Sequence, residues 1–244
     1  MKNTVKNLNI DEFFKSNTND LFELGMRYYF GDDEIFQDYE KSFDFIQKVY
    51  DTDLKYELNE KYKIYNVLYS LGKIFRDGIK AKKDYDKALY CFKNASEQGH
   101  SKAQYNLALM YYHGYVVEQN YNKAFYWFEK SCEKGNSESK CNIGVMYYYG
   151  QGVEKDYYKA IDYLEKSASK NNVDAQYNLG FIYYNLNDIE KSLYWLSKAV
   201  RNGSGQAKQL LKKVKKKNTI KNVIRKVPNL AFKPVKFNKK IESI

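Results

Sequence analysis

Proline is almost absent from the sequence. Of 244 residues only Pro228 and Pro234 are proline, so the first 227 residues contain none. Because proline removes a helical hydrogen-bond donor and clashes with the preceding turn, such a stretch favours long helices. The chain also lacks any apolar run of about 18 residues, the length that a membrane-spanning helix requires. We therefore expect helices but no transmembrane segment.

Cysteine is scarce as well. The three cysteines, Cys91, Cys132 and Cys141, are an odd number without paired spacing. This pattern is typical of a reducing compartment rather than of a secreted disulfide framework. Residues 1–14 hold only short apolar stretches broken by Asn, Asp and Lys, which excludes a signal-peptide core. We expect a soluble, intracellular protein, most simply a cytoplasmic one.

Acidic residues are nearly missing from the end of the chain. Residues 205–244 contain 13 Lys or Arg and a single acid, Glu242, whereas residues 1–204 contain 28 basic and 29 acidic residues. The formal net charge of +11 therefore resides in the C-terminal segment. This asymmetry indicates an interaction segment on a nearly neutral body.

What the sequence does have is an internal repeat. Residues 101–136 and 137–172 align with a period of 36 residues, and altered copies occupy residues 21–50 and 175–203. The period carries a small residue, a tyrosine and a loop glycine from copy to copy: Gly72, Ala108, Gly144 and Gly180; Tyr111, Tyr147 and Tyr183; Gly78, Gly114 and Gly150. A fixed period of this length predicts a repeat array.

Each copy has two halves with helical apolar spacing. Ala103, Leu107, Ala108 and Tyr111 form one stripe, and a second stripe runs from Ala124 to Cys132. Glycines between the halves can end the first helix in a left-handed conformation. Gly or Asn follows the second half at Gly99, Gly135, Asn171 and Gly203. The predicted unit is therefore helix, short loop, helix, short loop.

The spaced set from Ile143 to Ala168 carries a family resemblance. Its members are Ile143, Gly144, Tyr147, Gly150, Gly152, Val153, Asp156, Lys159, Ala160, Ser167 and Ala168. This set resembles the Sel1-like repeat, a relative of the tetratricopeptide repeat. The resemblance implies an all-α, right-handed α-α solenoid of about five helical hairpins, strongest over residues 65–172, followed by a basic C-terminal tail.

Three domains follow from this reading. They are an N-terminal lead at 1–18, the repeat solenoid at 19–204 and a basic helix and tail at 205–244. Between Tyr50 and Tyr65 an insertion of about ten residues interrupts the period. It either extends the second helix of the first copy or forms a surface loop. In the last copy the inner loop is four residues shorter, as in a terminal repeat.

Residues that could support catalysis do not cluster. His100 stands where later copies have Asn136 and Asn172, and His113 stands where the next copy has Tyr149, so both look like variable loop positions. Cys91 and Cys132 occupy core positions, whereas Cys141 lies on a face that we expect to be half-exposed. No phosphate-binding glycine motif and no CxxC pair is present. We expect no enzymatic activity, no metal and no cofactor.

The resemblance places the first helix of each hairpin on the concave side of the solenoid. Non-core positions of these helices form an aromatic, partly cationic surface, which we call the groove strip. It comprises Tyr69, Lys73, Arg76, Tyr105, Leu109, Tyr112, Val145, Tyr148, Tyr177, Phe181 and Tyr184. Tyrosine offers a large contact area and has few rotatable side-chain bonds to immobilise on binding, which suits protein binding. The alternative is that these side chains complete the packing between repeats.

The C-terminal segment is the second candidate site. Ala207, Leu210, Leu211 and Val214 form an apolar stripe that can cap the last repeat. We call the following set the tail cations: Lys212, Lys213, Lys215, Lys216, Lys217, Lys221, Arg225 and Lys226. They fit an anionic membrane or a nucleic acid, or a purely solubilising tail. The sequence thus predicts a scaffold for a protein or peptide partner, with a tail-directed anion-binding protein as the alternative.

Overall fold

The structure is a computed structural model that describes residues 18–51 and 63–226. The N-terminal lead up to residue 17, residues 52–62 of the insertion and the tail beyond residue 226 lie outside the described residues. Eleven helices make up most of the described residues: α1 Thr18–Phe30, α2 Tyr39–Tyr50, α3 Ile64–Asp77, α4 Tyr85–Glu97, α5 Ser101–His113, α6 Tyr121–Glu133, α7 Ser137–Tyr149, α8 Tyr157–Ala168, α9 Val173–Asn185, α10 Ile189–Arg201 and α11 Gly205–Lys226.

The helices form hairpins in chain order. Helix α1 packs on α2, α3 on α4, α5 on α6 and α9 on α10, and α4 also contacts α5 as α6 contacts α7. No strand occurs among the residues that the structure describes. The all-α prediction is confirmed. The chain divides into two compact units, Met1–Tyr163 and Leu164–Ile244.

Side chains that accept backbone hydrogen bonds start the helices. Asp84 caps α4 by accepting from the Lys87 amide at 3.0 Å, and Asn120 caps α6 by accepting from the Lys123 amide at 2.9 Å. Such caps satisfy amides that have no partner within the helix. Asp156, from the repeat motif, accepts from Lys159 at 2.9 Å in the same way. The Asp or Asn at this motif position therefore marks the start of the second helices.

Left-handed residues end the helices at the predicted places. Gly78, Gly114 and Gly150 end α3, α5 and α7 with φ of 70°, 73° and 74°. After the second helices, Asn171 has φ 61° and Gly203 has φ 93°. These conformations suit glycine and, to a lesser degree, asparagine. The predicted C-terminal signals are confirmed.

The motif tyrosine and the motif lysine keep the same spacing in successive repeats because they meet between the two helices of a hairpin. The ammonium of Lys123 lies 5.3 Å from the ring centre of Tyr111, and that of Lys159 lies 5.3 Å from Tyr147. A cation over an aromatic face is electrostatically attracted to it. The motif lysine thus covers the motif tyrosine while its backbone amide completes the cap.

Small residues bring the paired helices close together. An added Cβ at Gly72 would lie 2.7 Å from the Phe92 ring, and one at Gly180 would lie 2.5 Å from Leu196 Cγ. The hydroxyl of Ser192 also donates to the Gly180 carbonyl at 2.8 Å. The predicted close approach is confirmed at these two positions.

Helix α11 closes the last hairpin. Ala207 and Val214 are fully buried and pack with Leu196 and Ala199 of α10. Leu210 and Leu211 are half-buried against the same cluster. The start of the basic segment therefore supplies the apolar cover that a terminal repeat lacks, as the apolar stripe predicted.

Candidate functional site

The groove strip lies on half-buried surface. In the first unit Tyr69, Tyr105, Tyr112 and Tyr148 are each partly exposed, and so are Leu109 and Val145. Lys73 is exposed and Arg76 is half-buried. Every one of these positions therefore combines contact with the fold and access from solvent.

The tyrosine rings of the groove strip are held by aromatic neighbours. The ring of Tyr105 lies 5.8 Å from that of Phe128, and the ring of Tyr112 lies 5.2 Å from that of Tyr121. The Tyr112 hydroxyl also donates to Gln151 Oε1 at 2.7 Å. These contacts hold both rings in place.

The two outermost tyrosines of the groove strip in this unit, Tyr69 and Tyr148, are held in the same way. Tyr69 lies 6.2 Å from Phe92, and Tyr148 lies 5.4 Å from Tyr157 between ring centres. The ammonium of Lys155 lies 6.0 Å from the centre of the Tyr148 ring. The tyrosines therefore do contribute to packing, as the alternative interpretation held, while one side of each remains accessible.

The cationic part of the groove strip is partly neutralised. Arg76 forms an ion pair with Asp77 at 2.7 Å and a hydrogen bond with Asn106. The bond to Asp77 raises the pKa of Arg76 and lowers that of Asp77. Lys73 lies 5.9 Å from the Tyr69 ring centre. Lys73 is thus the more available of the two cations.

Three groove-strip residues belong to the second unit. Tyr177, Phe181 and Tyr184 are half-buried on α9. The ammonium of Lys217, one of the tail cations, lies 4.9 Å from the Tyr184 ring centre. Helix α11 therefore brings the two predicted sites into contact, a juxtaposition that sequence spacing did not reveal.

The tail cations divide into two groups. Lys212, Lys213, Lys215, Lys216 and Lys217 lie on α11 with exposed side chains. Lys221, Arg225 and Lys226 belong to the same helix, but their side chains lie outside the described residues. The sequence of α11 contains no acid, so the five tail cations whose side chains are described face solvent without an acidic partner in their own helix.

One prediction about a single residue was wrong, and one capping role was missed. Cys141 is buried, with 6% of its surface exposed, rather than half-exposed. His100 lies in the loop before α5, as predicted, and it also caps that helix: its Nδ1 accepts from the Ala103 amide at 3.1 Å. The matching positions Asn136 and Asn172 cap α7 and α9 through Oδ1. His, Asn and Asn at this repeat position can all accept a backbone hydrogen bond, and this shared property could have revealed the capping role of His100.

Burial shapes the titration of the aromatic and thiol groups. Burial raises the pKa of Tyr69 and Tyr112, and burial together with Glu165 raises that of Tyr183 to about 12. The Cys91 thiol, fully buried, also has a raised pKa. These groups are therefore neutral near pH 7, so the phenols act as hydrogen-bond donors. Within the described ranges, no three metal-binding side chains converge.

Two open cavities flank Tyr69 in the first unit. One, of about 290 Å³, is lined by Tyr29, Tyr69, Ser70, Lys73, Ile74, Asp77 and Ile79. The other, of about 410 Å³, is lined by Asn66, Tyr69, Ser70, His100, Ser101 and Lys102. Tyr69 and Ser70 line both cavities, and the second cavity is the more polar of the two. In residues 18–51 and 63–226, no helix combines the length and apolarity needed to cross a bilayer.

Known proteins share the repeat and the fold. The chain is similar to a protective antigen of uropathogenic Escherichia coli with an SLR fold, at 26% identity and a TM-score of 0.61. The match covers 82% of this chain but 42% of the E. coli protein. A Sel1 repeat protein from Oxalobacter formigenes aligns with a TM-score of 0.62 and 24% identity, covering 80% of this chain and 75% of that one. No curated protein sequence matches significantly.

The family model described as Sel1 repeat matches five consecutive segments. These are residues 20–50, 67–100, 101–136, 137–172 and 173–204. They cover well over half of the chain and coincide with the five helical hairpins. The repeat spacing, the capped hairpins and the packing of consecutive helices agree with an all-α solenoid. The chain therefore belongs to the Sel1 repeat family.

Proposed function

We propose that the protein is a non-enzymatic scaffold that holds a protein or peptide partner along the groove strip. Sel1 repeat proteins generally serve as scaffolds for protein–protein interactions. The observation that carries the proposal for this chain is the state of the groove-strip tyrosines. They are partly exposed, yet neighbouring rings already hold them in place.

Fixed aromatic side chains favour binding for a thermodynamic reason. A side chain that orders only in the complex loses rotamer freedom, which costs about 0.5–1.5 kcal/mol for each immobilised side chain. Tyr112 has already lost much of that freedom, because its ring contacts Tyr121 and its hydroxyl bonds to Gln151. A partner that contacts such a ring gains apolar burial with little further ordering.

The second helices supply a matched control. Tyr126, Tyr158 and Tyr194 are more than half exposed, at 51%, 89% and 56%, and lie on α6, α8 and α10. The ring of Tyr126 contacts Trp127, its neighbour in sequence, at 5.1 Å. Substitutions at these three positions remove the same amount of side chain from the other class of helix.

The test is affinity capture with cross-linking on the full chain. A triple variant, Tyr105→Ala, Tyr112→Ala and Tyr148→Ala, should capture at least tenfold less of each protein that the unaltered chain captures. The triple variant Tyr126→Ala, Tyr158→Ala and Tyr194→Ala should retain it. Circular dichroism at the capture temperature checks that both variants are folded. Equal loss in the two variants, or full binding by the first, would refute the groove strip as the binding surface.

A second candidate function rests on α11. Its exposed lysines have no acid in the same helix, so the helix presents a cationic surface to an anionic membrane or nucleic acid. Each phosphate neutralised by such a surface releases a counterion, so nucleic-acid binding falls steeply with salt. Attraction to an anionic membrane contributes about 1 kcal/mol per basic residue near the surface, and it also weakens with salt.

Charge reversal on α11 tests this candidate without touching its packing. Lys212→Glu, Lys213→Glu and Lys216→Glu alter exposed positions and leave Ala207 and Val214 buried. If the tail binds anions, the full chain should bind anionic vesicles or duplex DNA at low salt, and the variant should lose that binding. Indifference of the unaltered chain to both probes at low salt would leave α11 as a cap for the last repeat.

A further inference from the structure

The more polar of the two cavities beside Tyr69 is lined by side chains that can form hydrogen bonds. It is formed by residues of α3 and by the start of α5: Asn66, Tyr69, Ser70, His100, Ser101 and Lys102. None of these side chains is a carboxylate, and each carries a hydrogen-bond donor. The Ser70 hydroxyl donates to the Asn66 carbonyl at 2.9 Å. The other five residues leave the cavity rich in donors.

The capping role of His100 determines what its ring presents. Because Nδ1 accepts from the Ala103 amide at 3.1 Å, the neutral ring carries its proton on Nε2. The ring centre lies 4.4 Å from that of Tyr69 and 5.9 Å from that of Tyr65. The imidazole is thus held between a helix start and two tyrosines of α3, with Nε2–H as its donor.

The surroundings keep His100 neutral. Burial lowers the pKa of the imidazole, and the nearby charge of Lys102 lowers it further. Tyr69, which faces the ring from α3, adds no charge near pH 7, because burial raises its pKa. The cavity therefore contains one neutral donor on His100 and one ammonium on Lys102, which itself is exposed.

Later repeats carry the opposite charge at the same place. Shifted by 36 residues, His100 and Lys102 become Asn136 and Glu138, and a further shift gives Asn172 and Asp174. Asn136 and Asn172 reproduce the cap, with bonds of 2.6 and 2.8 Å to the amides of Ser139 and Ala175. The cap therefore requires neither an imidazole nor a cation. The pair His100 and Lys102 is specific to the start of α5.

We propose that this cavity binds a carboxylate from an acidic segment of the protein partner, with the Lys102 ammonium and His100 Nε2–H as the donors. An ionised carboxylate accepts several hydrogen bonds and donates none, so it complements a lining of donors. The inference rests on the proposed function, because Tyr69 belongs both to the groove strip and to this cavity. It specifies the chemistry of the partner: an acidic chain segment lying along α3 and α5.

The two histidines allow a direct test by NMR on the full chain. The probe is a hexaglutamate peptide with blocked ends, and the His100 ring signals are assigned by their loss in His100→Asn. Bound carboxylate should shift these signals and raise the pKa of His100, since an adjacent negative charge favours the imidazolium form. The ring signals of His113, which lies at the other end of α5, should not follow the peptide concentration.

Matched substitutions separate the cavity from general charge effects. Lys102→Glu introduces the residue that the next repeat carries at Glu138, and it should weaken peptide binding at least tenfold. His100→Asn keeps a capping side chain and should weaken binding about threefold. Lys93→Glu makes the same change of net charge at an exposed position of α4, and it should weaken binding less than twofold.

Other results would overturn the proposal. Equal weakening by Lys102→Glu and Lys93→Glu would mean that only net charge matters, and an unresponsive His100 would exclude the cavity. A larger response to inorganic phosphate than to the peptide at equal concentration would replace the carboxylate with a phosphate as the ligand. None of these three results affects the capture experiment with the groove-strip tyrosines, so the two proposals fail separately.

Discussion

The two helices of the third hairpin, α5 and α6, differ in how much of their circumference is buried. On α5 the buried residues point in several directions, and they include two polar side chains: Ala103, Gln104, Asn106, Leu107, Ala108 and Met110. On α6 only a narrow stripe is buried, at Ala124, Phe128 and Ser131. In this hairpin the first helix therefore lies between neighbours, whereas the second helix keeps most of its circumference exposed or half-buried.

The same difference separates the two kinds of tyrosine. Tyr112, on a first helix, is half-buried and bonded to Gln151, whereas Tyr194, on a second helix, is 56% exposed. A substitution on a first helix should therefore alter stability and binding together. One on the outer face of a second helix should alter neither by much, since exposed positions usually change stability by less than about 0.5 kcal/mol.

The largest expected effect tests whether first helices tolerate added volume. Gly180→Val would place Cβ 2.5 Å from Leu196 Cγ and 3.2 Å from the Leu196 amide nitrogen. Because the backbone of α10 cannot move aside easily, we expect the free energy of unfolding to fall by about 1–3 kcal/mol. The urea midpoint measures it. Tyr194→Val, on the outer face of α10, is the control and should change stability little. Similar losses in the two variants would contradict the comparison.

The inner loops that join the two helices offer a smaller, paired test. Gly152 and Val116 occupy the same repeat position with φ of 69° and 52°, a region that strains a β-branched residue. A Cβ at Gly152 would also lie 2.5 Å from the Tyr121 carbonyl carbon. Gly152→Val should therefore cost about 2 kcal/mol, from strain and contact together.

The reverse change provides the control for the loop. Val116→Gly relieves the strain but gives the unfolded chain more freedom, so we expect a net gain of at most about 1 kcal/mol. Urea midpoints of the two variants should move in opposite directions. If both fall, the valine at position 116 makes a contact that outweighs its strain.

The sequence predicted the parts of the molecule that repeat. Period, helix order, terminating glycines and the close approach at Gly72 and Gly180 all depend on local spacing, and the structure confirms them. Contacts between one repeat and the next were harder to predict. The buried Gln104 and Asn106 were missed because polar residues do not register in an apolar stripe, and Gln104 donates to the Ser96 carbonyl at 3.2 Å.

The groove strip was identified from positions on a helical face, and its role stays a prediction. The cavity with His100 was missed because it depends on a side chain at a helix start folding back toward a preceding helix. Likewise, the contact of Lys217 with Tyr184 joins residues 33 positions apart in the chain. Such contacts follow from packing in three dimensions rather than from spacing within one repeat.

The smallest expected effect concerns the cap of a first helix. The pKa of His100 is lowered in the folded state, from 6.5, by burial and by Lys102. The unfolded chain therefore binds a proton more readily, so stability should rise with pH in this range. Stability present above about pH 6.5 should be lost as the pH falls through the lower folded pKa, because a protonated Nδ1 can no longer accept from Ala103. Since the ring is half exposed, we expect a loss near the lower end of the 0.5–2 kcal/mol typical of a helix cap.

Urea midpoints between pH 7.5 and 5 measure this loss, and His100→Asn, which caps without titrating, should remove this part of the pH dependence. His113→Asn should retain it, because the cap at Ala103 is intact. A pH dependence that persists unchanged in His100→Asn would show that the start of α5 does not depend on the protonation of this ring.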